Sequence, residues 1–176
     1  MFDINEFRAN IDKQGTFNSS HFEVLITHPG LDLKETRYRC QGIELPGRTL
    51  QTLELKTAGP PRKIAYDSIF TEVTANIICS KNLEEKELFE NWQNKAVGEY
   101  RNLQSNNQDM FSLGFFDDYI GTVTIFVYDA TKKLERQYVL EEAYPINVSS
   151  LQLSWTNNEV TILPVTFTYT HLRKVK

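Results

Sequence analysis

Only two cysteines, Cys40 and Cys79, and three histidines, His21, His28 and His171, occur in the 176 residues. Neither cysteine has a second thiol or a histidine at zinc-finger spacing, which excludes a metal finger and a disulfide-rich scaffold. Both are expected as reduced, buried small side chains. The histidines form no His-x-His or His-Glu-x-x-His pattern, so no metal site is expected. Long apolar runs are missing as well. The longest are of the order of Ile125-Phe126-Val127-Tyr128, far short of the roughly 18 residues a membrane helix needs, and no membrane insertion is expected. The opening Met1-Phe2-Asp3-Ile4-Asn5-Glu6 carries acids and no apolar segment, and it does not read as a secretory signal. Basic side chains are in deficit: 19 Lys and Arg stand against 23 Asp and Glu, a net charge of −4. That balance argues against gripping nucleic acid, because phosphate neutralisation needs clustered cations.

What is present suits one domain. A chain of this length, 40% hydrophobic, buries enough surface to hold a core without disulfides or metal. A single β domain over residues 1–176 is expected, with about 20 N-terminal and about 6 C-terminal residues as arms. One segment has helical period, residues 83–97, where Leu88, Phe89, Trp92 and Ala96 recur on one stripe. Asn82 with Glu85 fits a capping box, Glu84, Glu85 and Glu87 suit the helix dipole, and Gly98 suits a stop. Those acids read as a solvated face or as a functional acidic patch.

Elsewhere the period is two. Strands are expected at 22–26, 36–45, 49–57, 69–78, 122–128, 133–140, 151–155 and 160–170. The second and third form a long hairpin about Pro46-Gly47. Gly59-Pro60-Pro61 makes the chain leave the sheet before Lys63-Ile64-Ala65-Tyr66 resumes an extended path. Residues 102–119 read as a long excursion, and Pro164 as a bulge or edge. The expected fold is mainly β, an antiparallel sandwich or barrel with one flanking helix.

Sites for chemistry are scarce. Asp117-Asp118 after Phe115-Phe116 is the best pair of carboxylates, but neighbours on an extended chain point opposite ways. No Gly-x-Gly-x-x-Gly, Walker-type or Gly-x-Ser-x-Gly motif occurs. His171 lies in a basic tail with Arg173, Lys174 and Lys176, which suits a surface role. No cofactor and no catalysis are expected.

Several segments together resemble the tail tube protein family of contractile-tailed bacteriophages. They are Phe22-Glu23-Val24, then Arg39-Cys40-Gln41-Gly42-Ile43-Glu44-Leu45-Pro46-Gly47, which is similar to a Cys-to-Leu-Pro stretch of that family. Pro61-Arg62-Lys63-Ile64-Ala65, Phe89-Glu90-Asn91-Trp92-Gln93, and the run from Tyr144-Pro145-Ile146 through Ser154-Trp155 to Asn157-Asn158-Glu159 follow. The resemblance spans roughly residues 20–170 and leaves the role of 102–119 open. It implies a structural virion protein: hexameric rings of this chain stacked into an inner tube that conducts phage DNA. A tail sheath would lie outside, a baseplate and tail terminator at the ends, and tape measure protein and DNA in the lumen without specific binding.

Two expectations about residues follow. Pro46, Gly47, Arg48, Gly59, Pro60, Pro61 and Arg62 are expected at subunit contacts, the alternative being ordinary surface turns. Glu44, Glu54 and Glu72 are expected as lumen acids, where like charge repels DNA phosphate. The tube of a type VI secretion system or contractile bacteriocin is a rival from the same architecture. A small-ligand β-barrel is a rival from a different class, and it would need an apolar pocket with convergent polar groups.

Overall fold

In the computed structural model, which describes residues 19–31, 33–56, 59–98, 113–155 and 160–175, the alternating segments build one folded sheet and a separate two-stranded ribbon. The elements are β1 (Phe22–Thr27), a 3-10 turn (Lys34–Tyr38), β2 (Cys40–Ile43), β3 (Arg48–Leu55), β4 (Arg62–Phe70), β5 (Val73–Ile78), helix α1 (Glu84–Ala96), helix α2 (Phe116–Tyr119), β6 (Gly121–Tyr128), β7 (Leu134–Val148), β8 (Ile162–Thr168) and β9 (His171–Val175). The sheet runs β1-β6-β7-β8-β5-β2, with β9 also on β7, and every pairing is antiparallel. The expected N-terminal arm lies mostly outside the described residues. The last residues, expected as an arm, form β9 instead.

β7 turns the sheet into a half-barrel. Its first part pairs with β6 and β9, and its later part with β8. The change falls at Glu142, held at φ 55 where the register with β6 slips between Gly121 and Thr122. An extra residue of this kind bends a strand and sharpens its twist, so one strand of 15 residues replaces the 8 expected at 133–140. The two ends of the sheet meet across the 3-10 turn. Arg37 Nε donates to Glu23 Oε1, and the Tyr128 hydroxyl donates to Glu23 Oε2 at 2.9 Å.

The core lies between the walls. Val24, Ile26, Val73, Ala75, Ile77, Val123, Leu163, Val165 and Phe167 point inward at alternate positions, as strands with one dry face require. Helix α1 closes the opening with Phe89 and Trp92, both fully buried, and each ring lies 6.0 Å from Phe167. The indole Nε1 donates to Tyr119 O at 2.6 Å, which pins α2 over the helix.

Several expectations are corrected. The strand at 36–45 begins as the 3-10 turn, because the Thr36 hydroxyl and amide both donate to Leu33 O, at 2.5 and 3.1 Å; such local bonding competes with a ladder. Pro46-Gly47 is not a hairpin turn: β3 pairs with β4, and the reversal falls at Gly59-Pro60-Pro61. The expected strand 69–78 is divided at Thr71-Glu72. Residues 151–155 form no strand, since β7 and β8 already fill the neighbouring ladder positions. Pro164 causes no bulge, as β5 and β8 pair in unbroken register through it. Its missing amide hydrogen faces β7, where the ladder ends and only its carbonyl is used, by Ser149 N at 3.0 Å. Asn82 does not cap α1. The N-cap position is Leu83, at φ 56 and without a side-chain cap bond, and Ser80 supplies the bonds instead, its Oγ accepting from Glu84 N at 3.3 Å while Glu85 Oε2 accepts from Ser80 N at 2.7 Å. The helix ends on extended Val97 rather than at Gly98.

Candidate self-assembly interface

The β3–β4 ribbon continues the β2–β5 pair beyond the barrel. Glu44 N donates to Thr74 O at 3.1 Å, Thr71 N donates to Gly47 O at 3.1 Å, and the ribbon register starts at Arg48 with Phe70 and ends at Leu55 with Arg62. At about 3.4 Å per residue, eight pairs carry the tip roughly 25 Å from the barrel rim. An isolated two-stranded hairpin is at best marginally stable in water, so a ribbon of this length is built to be covered.

Its two faces differ. Strand pairing puts Leu53, Leu55, Ile64 and Ile69 on one face, with Thr49, Gln51, Asp67 and Arg62. The register slip leaves Tyr66 unopposed, and its hydroxyl donates to Gln51 Oε1 at 2.5 Å, which turns the ring to the same face. All five apolar side chains are exposed. The other face carries Arg48, Leu50, Thr52 and Glu54 opposite Phe70, Ser68, Ala65 and Lys63. One side is therefore oily and wet, which marks an interaction surface rather than a finished exterior.

The expected contact residues fall at both ends of this ribbon. Pro46, Gly47 and Arg48 form its root, where Gly47 N donates to Thr71 Oγ1 at 2.9 Å and a Cβ on Gly47 would approach that oxygen to 2.7 Å. Gly59, Pro60, Pro61 and Arg62 form the exposed tip, and Gly59 takes φ 114, a conformation that suits glycine. The two groups thus lie at opposite ends of the ribbon. Leu53, Leu55, Ile64, Tyr66 and Ile69, exposed on one face of the ribbon, were not among the residues expected at contacts. Their signal was present, as period-two alternation on both sides of Gly59-Pro60-Pro61.

The three acids also separate. Glu44 and Glu72 are exposed at the barrel rim, on the outward face of β2 and β5. That face continues through Thr74, Asn76, Thr166 and Asn147, with the Thr74 and Thr166 hydroxyls 3.3 Å apart. Glu54 lies on the ribbon opposite Lys63 instead.

The remaining titratable groups are structural in their surroundings. Glu85 is buried and meets Arg39 at 3.1 Å. Burial raises its carboxyl, but the hydrogen bonds from Ser80 and the charge of Arg39 bring it below the ordinary carboxylate value. This corrects a wholly solvated acidic face on α1. His28 is buried edge-on to Trp92, with centroids 4.9 Å apart, and its ring nitrogens make no well-formed hydrogen bond, the backbone of Asp118 and Pro29 offering only weak ones. Burial first, then the charge of Lys95, holds its pKa below the usual histidine value. Burial pushes the Cys40 thiol up to about 11. Asp117 and Asp118 sit exposed on α2, and His171 is exposed on β9. Among the described residues no three His, Cys, Asp or Glu side chains gather as a metal site.

Comparison with known proteins agrees with this architecture. A family model described as phage tail tube protein matches residues 2–173. The tail tube protein gp19 of Enterobacteria phage T4 is 22% identical over 146 residues, which are 82% of this chain and 83% of that protein. In fold, the chain is similar to a chain of the sheath–tube complex of an extracellular contractile injection system, with TM-score 0.64, 15% identity and coverage of 95% and 96%. It is also similar to a chain of the six-fold symmetrised baseplate of the anti-feeding prophage, with TM-score 0.60, 14% identity and coverage of 92% and 97%.

Proposed function

The chain belongs to the phage tail tube protein family, and from that premise we propose that copies of it close into hexameric rings stacked as the inner tube of a contractile tail. The observation that carries this is the β3–β4 ribbon, a pair of strands outside the barrel with an uncovered apolar face. Joining copies removes that face from water and satisfies the open edge of β9 at the same time. The six-fold symmetry named for the baseplate relative supports six copies per ring.

The tube is a conduit for phage DNA during ejection. Its wall is the outward face bearing Glu44, Glu72, Thr74 and Asn76, which offers acids and small polar groups to a passing polyanion and no cationic grip. Glu54 contributes to a contact between copies rather than to the lumen, because it rides on the ribbon. Pro46, Gly47 and Arg48 set the angle of the ribbon at its root, and Gly59, Pro60, Pro61 and Arg62 touch the neighbour at its tip. The sheath surrounds the tube, the baseplate and tail terminator hold its ends, and tape measure protein fills it before DNA. The role is architectural, without a reaction.

A second reading has its own support. The likeness of fold to an extracellular contractile injection system fits a tube that delivers protein rather than DNA, with the same rings and the same ribbon. Type VI and bacteriocin tubes fall under that reading, and neighbouring capsid or portal genes decide for the phage tail.

Sedimentation and negative-stain microscopy of the purified chain, alone and with its baseplate, test the proposal. Hollow tubes with six-fold end views are expected, shortened or lost in Arg62→Glu. A monomer that never assembles on the baseplate overturns it.

A further inference from the structure

We propose that Arg136, Tyr138 and Lys174, which surround a recess of about 150 Å³ between β7 and β9, form a binding site for a doubly charged phosphate group that bridges the two strands. The site belongs to the single copy and does not depend on ring formation.

Strand register assembles it. Tyr138 of β7 lies opposite Lys174 of β9, and Arg136 stands two residues before Tyr138, so the three side chains share one face of the sheet. Arg136 and Lys174 are therefore diagonal neighbours, with Cβ atoms about 7–8 Å apart, and both long side chains can reach one ion between them. The Lys174 ammonium already lies over the Tyr138 ring, 5.8 Å from its centroid. Gln137 and Val175 complete the lining.

The charge at this place is uncompensated. Like charges on neighbouring strands repel unless an anion stands between them. Among the described residues neither Arg136 nor Lys174 has an acidic partner, and Glu135, next to Arg136 in β7, pairs with neither. The other end of the same ladder is different, since Arg173 Nε donates to Glu141 Oε1 at 2.9 Å. β9 pairs with no strand but β7. It is thus pinned by an ion pair toward its start and left with two bare cations toward its end.

The donors define the ligand. A guanidinium fork, an ammonium and a phenolic hydroxyl converge on a space large enough for one tetrahedral oxyanion. Two full positive charges match a phosphate dianion, whereas a carboxylate would neutralise only one of them. The same face is dry on the β6 side, where Val127 and Ile125 lie opposite Arg136 and Tyr138 and are buried. An anion bound there sits at the lip of the core, where charged hydrogen bonds are stronger than in open water.

The test is an NMR titration of the full chain with inorganic phosphate at pH 7.5, the ionic strength held constant with sodium chloride. Saturable shifts at Gln137, Tyr138, Lys174 and Val175 are expected, half complete at or below about 5 mM. Arg136→Gln and Lys174→Gln should each weaken binding at least tenfold. Both side chains are exposed, so the fold is expected to be intact by circular dichroism. Lys133→Gln makes the same change in net charge outside the recess and should leave binding as it was, and acetate should bind at least tenfold more weakly than phosphate. Adenosine 5′-monophosphate separates the two sources of such a group: tighter binding than inorganic phosphate assigns the site to a phosphate ester, and weaker binding to the free ion. Shifts that stay linear in phosphate, acetate binding as well as phosphate, or an equal loss in Lys133→Gln would overturn the site. Hydrogen exchange tests the bridge. The amides of residues 172–175 should exchange at least threefold more slowly in saturating phosphate, and Lys174→Gln should abolish the difference. Phosphate bound without any slowing would overturn the bridging role.

Discussion

Replacing Leu53 and Ile64 by serine tests the ribbon as an assembly element. The two residues face each other across β3 and β4 and are 54% and 50% exposed. Complete burial of a Leu or Ile side chain stabilises by about 1.5–3 kcal/mol. Half of each remains to be covered, so each serine removes roughly 1 kcal/mol from a contact, and the pair about 2 kcal/mol. That is about a 30-fold loss in association constant for one copy. Because every copy in a ring makes the contact, the loss multiplies around the ring and moves assembly from readily observable to absent at the same concentration. The isolated monomer should hardly notice. One cross-strand apolar pair is worth at most about 1 kcal/mol, or roughly 2–4 °C in melting temperature for a domain of this size. Light scattering against concentration gives the assembly threshold, and calorimetry of the monomer gives stability. An unchanged threshold, or a melting temperature lower by more than about 8 °C, would refute the reasoning.

Glu85→Ala removes the acceptor for Ser80 N and the partner of Arg39. A loss of roughly 2–3 kcal/mol is expected, read as about 5–10 °C by calorimetry; a shift under 2 °C would show that the Arg39–Glu85–Ser80 cluster does not tie α1 to the sheet. The Glu85 carboxyl is depressed in the folded protein, so its contribution is complete above the unfolded value near 4.5 and lost as pH falls through the folded one. The gap in urea stability between the natural protein and Glu85→Gln should therefore narrow below pH 4.5, and a constant gap contradicts this. His28 is also depressed, so stability should decline as pH drops below about 6.5. His28→Phe should flatten that slope between pH 7.5 and 5.5, and an equal slope would exonerate His28. Gly121→Ala would bring a Cβ to 2.5 Å from Thr27 O and 2.7 Å from Trp92 Cζ2. Neither neighbour is free to retreat, so a cost of about 2 kcal/mol or more is expected, and a neutral result in urea titration would mean that β1 and α1 yield there.

How far the fold was legible follows from where burial acts. At β1, β6 and β8 one face is dry, and Val24, Ile26, Val123, Ile125, Val165 and Phe167 announce it by strict alternation. Residues 151–155 alternate in the same way, Leu151, Leu153, Trp155, yet form no strand; Leu151 packs on the core while Leu153 and Trp155 are exposed, so period two marks an apolar face without marking a ladder. The hairpin was misplaced for a different reason. Pro46-Gly47 and Gly59-Pro60-Pro61 are both good turn sequences, and the choice between them depends on β2 pairing with β5, a contact remote in sequence. Local bonds hid other features. Thr36 prefers Leu33 O to a ladder, and Ser80 rather than Asn82 supplies the capping bonds of α1 because Glu85 reaches back to it from a buried position. For the interface, the turn residues were visible through their backbone demands. The apolar ribbon face showed only as alternation, since sequence shows Leu53 and Ile64 as apolar without showing that no core lies behind them.

Hydrogen exchange of the β3 and β4 amides, compared between monomer and assembled tube, probes the ribbon most directly. Residues 48–55 and 62–70 should exchange readily in the monomer and at least a hundredfold more slowly in the tube, while β6 and β8 remain protected in both. Equal exchange in the two states would mean that the ribbon stays in water after assembly, and that the copies are held together by some other surface.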